Sequence, residues 1–273
     1  MIMKHLMCQA VCTVALLSAC SPAREEKAEN SARPVQNSAA PVSAREVSKP
    51  RPPVTITRKD EALNFTYAWP SPAASIPALS DWLRGHSDDQ YNRAHRSAAD
   101  DAKAMKRDGF PYRLHEFQQK WAAVADTPGV LVLQSDGYEY TGGAHGMPFN
   151  TALIWDRAKA ARLGTGDLID LPRFAKLAKS RFCDELNRQR KEKRGLAVKP
   201  GSNDPFDSCP DMTKQQVFPI SAKGNALDTV RIVIGPYEAG PYAEGDYTID
   251  LPVDTVLHAA IKPAYQPWFT GAP

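Results

Sequence analysis

The sequence predicts an α+β fold, an antiparallel sheet flanked by helices, after a signal peptide and a disordered tether. Three observations lead there. Apolar residues recur at every second position in short runs, as at Leu63, Phe65, Tyr67 and Trp69. Two longer stretches carry apolar residues at helical spacing instead. Strands and helices come mixed, with hairpin-like intervals, which favours an antiparallel sheet with helices packed on it. No internal repeat points to a solenoid.

The elements follow in order. Val54 to Trp69 reads as one strand, stopped by Pro70 and Pro72. Residues 76–108 read as a helix with Ile76, Leu79, Trp82 and Leu83 on its apolar side. Its second half, from Asp88 to Arg107, is polar enough to be a solvated face, and Gly109 and Pro111 end it. Residues 112–126 and 129–141 read as paired strands around a Thr127-Pro128-Gly129 turn, and 148–156 as the next strand. Leu163 and Leu168 fall in a short loop region. Asp170 caps a second helix with Pro172 in its first turn and Phe174, Leu177, Phe182 and Leu186 inward. Strands are expected near 217–221, 228–234 and 246–251, then a short helix over about 253–261.

The first twenty residues address the chain. Lys4 opens a positive start, and an apolar run from about Leu6 to Leu17 follows. The run is shorter than the about 20 apolar residues a membrane-spanning helix needs and fits a secretory signal. Leu17-Ser18-Ala19-Cys20 resembles a bacterial lipobox, in which small residues precede a cysteine that becomes acylated. The alternative is an ordinary signal peptide that contains a cysteine. On the lipobox reading residues 1–19 are the signal, Cys20 is lipidated, and the lipid holds the protein to a membrane. Ser21 rather than Asp after it favours, by resemblance to Gram-negative lipoproteins, the outer membrane, with the protein facing the periplasm. Residues 20–53 are rich in Ala, Pro, Ser and charge and bury too little to offset chain entropy, so they form a flexible linker. The folded domain would span 54–273.

Among 273 residues, 34 are basic and 31 acidic. That balance gives no broad basic field, so nucleic acid is not an expected partner. Once Cys8 and Cys12 leave with the signal and Cys20 is acylated, Cys183 and Cys209 remain. In an oxidising compartment they read as one disulfide, worth about 3 kcal/mol by loop entropy. Two unpaired thiols are the alternative. A zinc site fits poorly, because the spacing matches no zinc pattern and no histidine lies nearby.

The segment from Tyr138 to Gly146 reads Tyr-Glu-Tyr-Thr-Gly-Gly-Ala-His-Gly. Tyr138 and Tyr140 share one strand face and Glu139 takes the other. Gly142, Gly143 and Gly146 permit backbone angles closed to other residues, or a close approach by another chain. Three roles are open to His145: a hydrogen-bonding residue that stitches the turn, a contact for a ligand or partner, or a catalytic or metal-binding residue. No nucleophile neighbours it in sequence, no His-Glu-x-x-His helix exists, and the other histidines form no cluster. No metal, cofactor or catalytic residue is therefore assigned. A second segment, Pro236-Tyr237-Glu238-Ala239-Gly240-Pro241-Tyr242, implies successive tight turns. They leave Tyr237 and Tyr242 either presented to a ligand or capping the sheet edge. The basic run of Arg188, Arg190, Lys191, Lys193 and Arg194 reads as the C-terminal complement of a helix dipole, with contact to an anionic lipid or polymer as the alternative.

These two motifs resemble an extracytoplasmic domain family of unknown function. Its members precede the catalytic domain of PdaC-type peptidoglycan deacetylases and form the outer part of RsiV-type anti-sigma factors that bind lysozyme. The likeness spans roughly residues 54–262. Arg157-Ala158-Lys159 departs from the usual Thr-Gly turn. With no transmembrane helix, sigma-binding segment or deacetylase domain evident, the family's signalling and deacetylase roles do not carry over. The resemblance implies a non-catalytic module at the cell envelope. Peptidoglycan or a lysozyme-like protein would be its partner, with Tyr138, Tyr140, His145, Tyr237 and Tyr242 as candidate contacts. The competing expectation is an envelope hydrolase that uses His145 with an acid such as Asp136 or Glu139.

Overall fold

The computed structural model describes residues 49–199 and 201–270. The signal peptide, Cys20 and the tether to residue 48 lie outside the described residues. Arg51, expected in the linker, is already tied to the domain: its N–H donates to Ser75 Oγ at 2.8 Å and its carbonyl accepts from Ser71 Oγ.

The run from Val54 to Trp69 is a hairpin rather than one strand. β1 (Val54–Lys59) and β2 (Leu63–Trp69) pair antiparallel. Asp60 makes the turn, its Oδ1 accepting from the N–H groups of Ala62 and Leu63, a turn chemistry that the run of alternating apolar residues concealed. Leu63, Phe65, Tyr67 and Trp69 are all essentially buried. A one-turn helix α1 (Ser71–Ala74) leads into α2 (Pro77–Asp108). Proline sits at the start of α2, where its missing N–H costs nothing. Gly109 ends the helix in the left-handed conformation at φ 76°, and both its N–H and that of Phe110 return to Met105 O.

Because α2 carries the chain back across the sheet, β3 (His115–Asp126) pairs parallel with β2. That is the one parallel pair in a sheet otherwise antiparallel as expected. β4 (Val130–Tyr140), β5 (Met147–Asp156) and the short edge strand β6 (Ala161–Leu163) complete a six-stranded sheet in the order β1-β2-β3-β4-β5-β6. β6 occupies part of the stretch expected as loop, and a short helix α3 (Thr165–Leu168) follows it.

The second helix, α4 (Leu171–Arg194), begins where expected, with Asp170 Oδ1 accepting from Arg173 N–H at 3.1 Å. Phe174, Ala178, Phe182 and Leu186 form its buried side. Leu177, expected inward, is exposed. A second sheet, in the order β7-β8-β9, is wholly antiparallel: β7 (Gln216–Ile220), β8 (Thr229–Ile234) and β9 (Tyr247–Pro252). The last helix, α5 (Thr255–His258), is shorter than predicted. The chain after it bridges back through Ile261 to Ile169.

Two cores result. One lies between α2 and the first sheet and holds Phe65, Tyr67, Trp69, Leu79, Leu83, Phe117, Leu131 and Leu133. The other joins the opposite face of that sheet, through Val130, Val132 and Ile154, to the second sheet and α4. A bulge between Ala123 and Ala125 in β3 frees the Val124 carbonyl, which accepts Ser221 N–H at 2.9 Å and links the two sheets. Cys183 of α4 is bonded to Cys209, with Cα atoms 5.6 Å apart. No described helix is long and apolar enough to cross a membrane.

Candidate functional site: a cleft beside α2

α2 covers β2 and β3 but leaves part of β4, β5 and β6 open on the same face. The uncovered strip is a cleft of about 560 Å³, within the size range of small-ligand sites. Trp82, His86, Gln90 and Arg93 line its helical wall. Spacings of four, four and three residues set these side chains along one stripe of α2. The floor is made by alternate residues of the sheet: Gln119 and Trp121 of β3, Glu139 of β4, then Phe149, Thr151 and Leu153 of β5. Arg162 of β6 stands at the far rim.

Aromatic and charged groups are interleaved here. The Trp82 and His86 rings stack 4.9 Å apart, and the Arg162 guanidinium lies 4.2 Å over the Trp82 ring. Arg93 donates to Glu139 at 3.3 Å and to Gln90 Oε1 at 2.7 Å. Behind the wall, Trp121 Nε1–H donates to Tyr67 Oη at 2.7 Å, and that oxygen is 2.8 Å from His86 Nδ1. Burial pushes the Tyr67 hydroxyl well above the ordinary tyrosine pKa, with the Trp121 bond acting in the opposite direction. Burial also lowers the His86 pKa; Arg162 and Arg93 add to the shift and Asp89 opposes it. The lowered pKa favours the neutral ring, which is held by Tyr67 on one side and Gln90 on the other.

Gln119 is the most telling residue of the floor. It is 2 % exposed, and its Nε2 donates to Ser135 Oγ at 3.0 Å. Its Oε1 is buried and has no partner among the described residues. A buried amide end without a hydrogen bond is costly, so this one marks a place where something polar is accommodated.

The residues singled out in the sequence lie elsewhere, at the turn between β4 and β5 and on the other face of the sheet. Gly142 and Gly143 take φ of 91° and 86°. Tyr140 Oη and Arg113 Nη1 both donate to the Gly143 carbonyl, at 3.2 and 2.9 Å. Gly146 is packed so closely that a Cβ there would fall 2.7 Å from the Glu139 carbonyl oxygen and 2.4 Å from Tyr138 Cζ. The exposed His145 ring stacks on Tyr242, its Nδ1–H donating to Gly146 O at 3.0 Å. Tyr242 Oη donates to the same carbonyl at 2.8 Å. Tyr237, half exposed, leans on Tyr242 at 5.9 Å. The five candidates thus gather in one place, as a packed cluster joined to the glycine turn.

Of the two acids expected beside His145, Glu139 faces the cleft and binds Arg93, while Asp136 occupies the opposite face of β4. The hydrogen-bond partner of His145 is a carbonyl, not a carboxylate. Among the described residues no group of three or more His, Cys, Asp or Glu is arranged to hold a metal ion.

The basic run at the end of α4 does more than complement a dipole. Arg190 is fully buried and donates to the carbonyls of Ala239, Asp207 and Ser208 and to Asn187 Oδ1. Arg194 pairs with Asp207 at 2.6 Å and Glu244 at 2.8 Å. Lys193 Nζ donates to the carbonyls of Glu244 and Asp246. These three cations fasten the Pro-Tyr loop and the loop that carries Cys209 to one helix end. The cleft residues Trp82, His86, Gln90, Arg93, Gln119, Trp121, Phe149 and Arg162 were not foreseen as a site. Trp82 had been assigned to the core and the polar residues after it to solvent.

One comparison covers the first motif. The family model described as deacetylase PdaC matches residues 56–148, from β1 through the glycine turn into β5. Over those residues the chain is similar to that family. Two solved structures are similar over most of the chain. A DUF3298 family protein from Pseudomonas aeruginosa PAO1 is 16 % identical, with 80 % of this chain and 97 % of that chain covered and a TM-score of 0.47. A DUF3298 family member from Bacteroides fragilis NCTC 9343 is 15 % identical, covering 80 % and 96 %, with a TM-score of 0.49. No curated protein matches.

Proposed function

We propose that this protein is a lipid-tethered binding module of the cell envelope that docks a segment of cell-wall glycan in the cleft beside α2. The match of residues 56–148 to the deacetylase PdaC family model supports an envelope setting, and the lipobox-like Leu17–Cys20 segment supports the tether.

The observation that carries the glycan reading is the cleft itself. Trp82, Trp121 and Phe149 offer apolar surface, and Gln90, Gln119, Glu139 and Arg93 offer donors and acceptors between them. A pyranose has that same division: C–H groups on its faces, and hydroxyls around its rim that both donate and accept. The unpartnered end of Gln119 is met by a hydroxyl whichever way the amide is turned. Neither a nucleophile paired with a base nor a pair of open carboxylates lines the cleft, so binding is favoured over hydrolysis.

Sedimentation of the full-length protein with purified peptidoglycan sacculi tests the reading. Wild type is expected in the pellet and Trp82→Ala in the supernatant. Equal pelleting of the two contradicts it, and so does retention on immobilised lysozyme with none on sacculi, which selects a protein partner instead. The tether has its own test: labelled palmitate is expected in the wild type and absent from Cys20→Ser.

A further inference from the structure

We infer that the cleft beside α2 selects a sugar that carries a carboxylate, with Arg162 as the ion-pair partner of that group. The inference rests on the glycan reading and specifies the charge of the sugar taken.

Arg162 differs from the paired arginines by what it lacks. Arg93 pairs with Glu139, Arg194 with Asp207 and Glu244, and Arg231 with Asp250. For Arg162 the one contact found among the described residues is the face of Trp82, 4.2 Å from its guanidinium carbon. Stacking on an indole positions a guanidinium without consuming its N–H donors. Arg162 therefore stands at the rim with its fork of donors unspent, in the geometry that suits a carboxylate.

The charge of the cleft agrees. Glu139 balances Arg93 and nothing in the lining balances Arg162, so the cleft is positive overall. Depth also agrees. Gln119 is buried on the floor and Arg162 is exposed at the rim. A sugar ring seated over the floor meets Gln119 with a ring substituent and directs an outward carboxylate to Arg162. Both an ether-linked lactyl acid and a uronic acid present that group.

Titration of the full-length protein by calorimetry distinguishes these cases. The probes are N-acetylglucosaminyl-N-acetylmuramic acid, the same disaccharide with its carboxyl converted to an amide, neutral di-N-acetylchitobiose, and digalacturonic acid. The acid disaccharide is expected to bind about tenfold more tightly than its amide, the loss of one charge-assisted hydrogen bond. Arg162→Gln should equalise the two, and Lys176→Gln, which removes a positive charge from α4, should leave the ratio as it was. An unchanged unfolding midpoint checks that Arg162→Gln is folded. Digalacturonic acid bound more tightly than chitobiose shows that the carboxylate alone is read; tight binding of the lactyl acid only shows that its reach is read too, and either result supports the inference. Acid and amide bound equally by the wild type, or a preference that survives Arg162→Gln, overturns it while the glycan reading stands. Failure of every probe to bind overturns both.

Discussion

The imidazole of His145 lies face to face with the ring of Tyr242, centroids 3.8 Å apart and planes 23° from parallel. The contact joins the glycine turn after β4 to the Pro-Tyr loop before β9, two motifs distant in sequence that share the Gly146 carbonyl as acceptor. It accounts for Gly146, where a side chain would hold the carbonyl and ring apart, while Gly142 and Gly143 are set by their positive φ.

Tyr242→Phe keeps the stack and removes only the hydroxyl bond to Gly146. It is expected to lower unfolding free energy by about 1 kcal/mol, measured by urea denaturation, with saccharide binding unchanged. A large loss of binding at constant stability would return this cluster to the role of ligand site.

Gly146→Ala places a methyl against the Tyr138 ring and the Glu139 carbonyl. Relieving that overlap requires the strand end to move, at a cost of about 1–3 kcal/mol. The same denaturation series reads it, and Gly143→Ala serves as the comparison: there a Cβ meets open space and only the φ of 86° opposes it.

Arg190→Met leaves the carbonyls of Asp207 and Ser208 without their donor and that of Ala239 with Arg194 alone. The expected loss is about 2–4 kcal/mol, by denaturant unfolding. Cys209→Ser removes the covalent hold on the same loop, about 3 kcal/mol by loop entropy. Because both act on the segment around Asp207–Cys209, the double variant should lose less than the sum of the two. Strict additivity would show that the loop is held by each independently.

How far the sequence carried can be judged from individual residues. Elements whose signal is local were legible: the alternation from Leu63 to Trp69, the cap at Asp170 and the stop at Gly109 all mark real boundaries. The Cys183–Cys209 bond was expected from the cysteine count together with the secretory reading of the first twenty residues. The hairpin at Asp60 was hidden because a tight Asx turn interrupts the alternation without glycine or proline. Arg190 was misread because a basic residue before a helix-ending glycine is ordinarily solvated, and carbonyls distant in sequence, those of Asp207, Ser208 and Ala239, make it a core residue. The cleft was not legible because it depends on how far α2 extends over the sheet. Trp82 and Leu83 look alike in sequence, yet Leu83 is buried and Trp82 borders the opening.

Stability should depend on pH through His86. Its folded pKa is lowered, chiefly by burial, so the unfolded chain binds the proton more readily. The native state then keeps its full stability above the unfolded histidine value of about 6.5 and loses it as pH falls toward and through the lowered value. Denaturation midpoints at a series of pH values between 4 and 8 should slope downward on acidification, and His86→Gln should flatten that part of the slope. An identical slope in the variant would assign the titration to other groups.

The central claim is that a saccharide occupies the cleft beside α2. Indole and backbone N–H resonances of the isotope-labelled protein, followed during addition of a wall-derived disaccharide, test it most directly. Saturating shifts at Trp82 and Trp121, with Trp69 and Trp268 unmoved, are predicted. Indole signals that all stay in place, or shifts confined to His145 and Tyr237, contradict it.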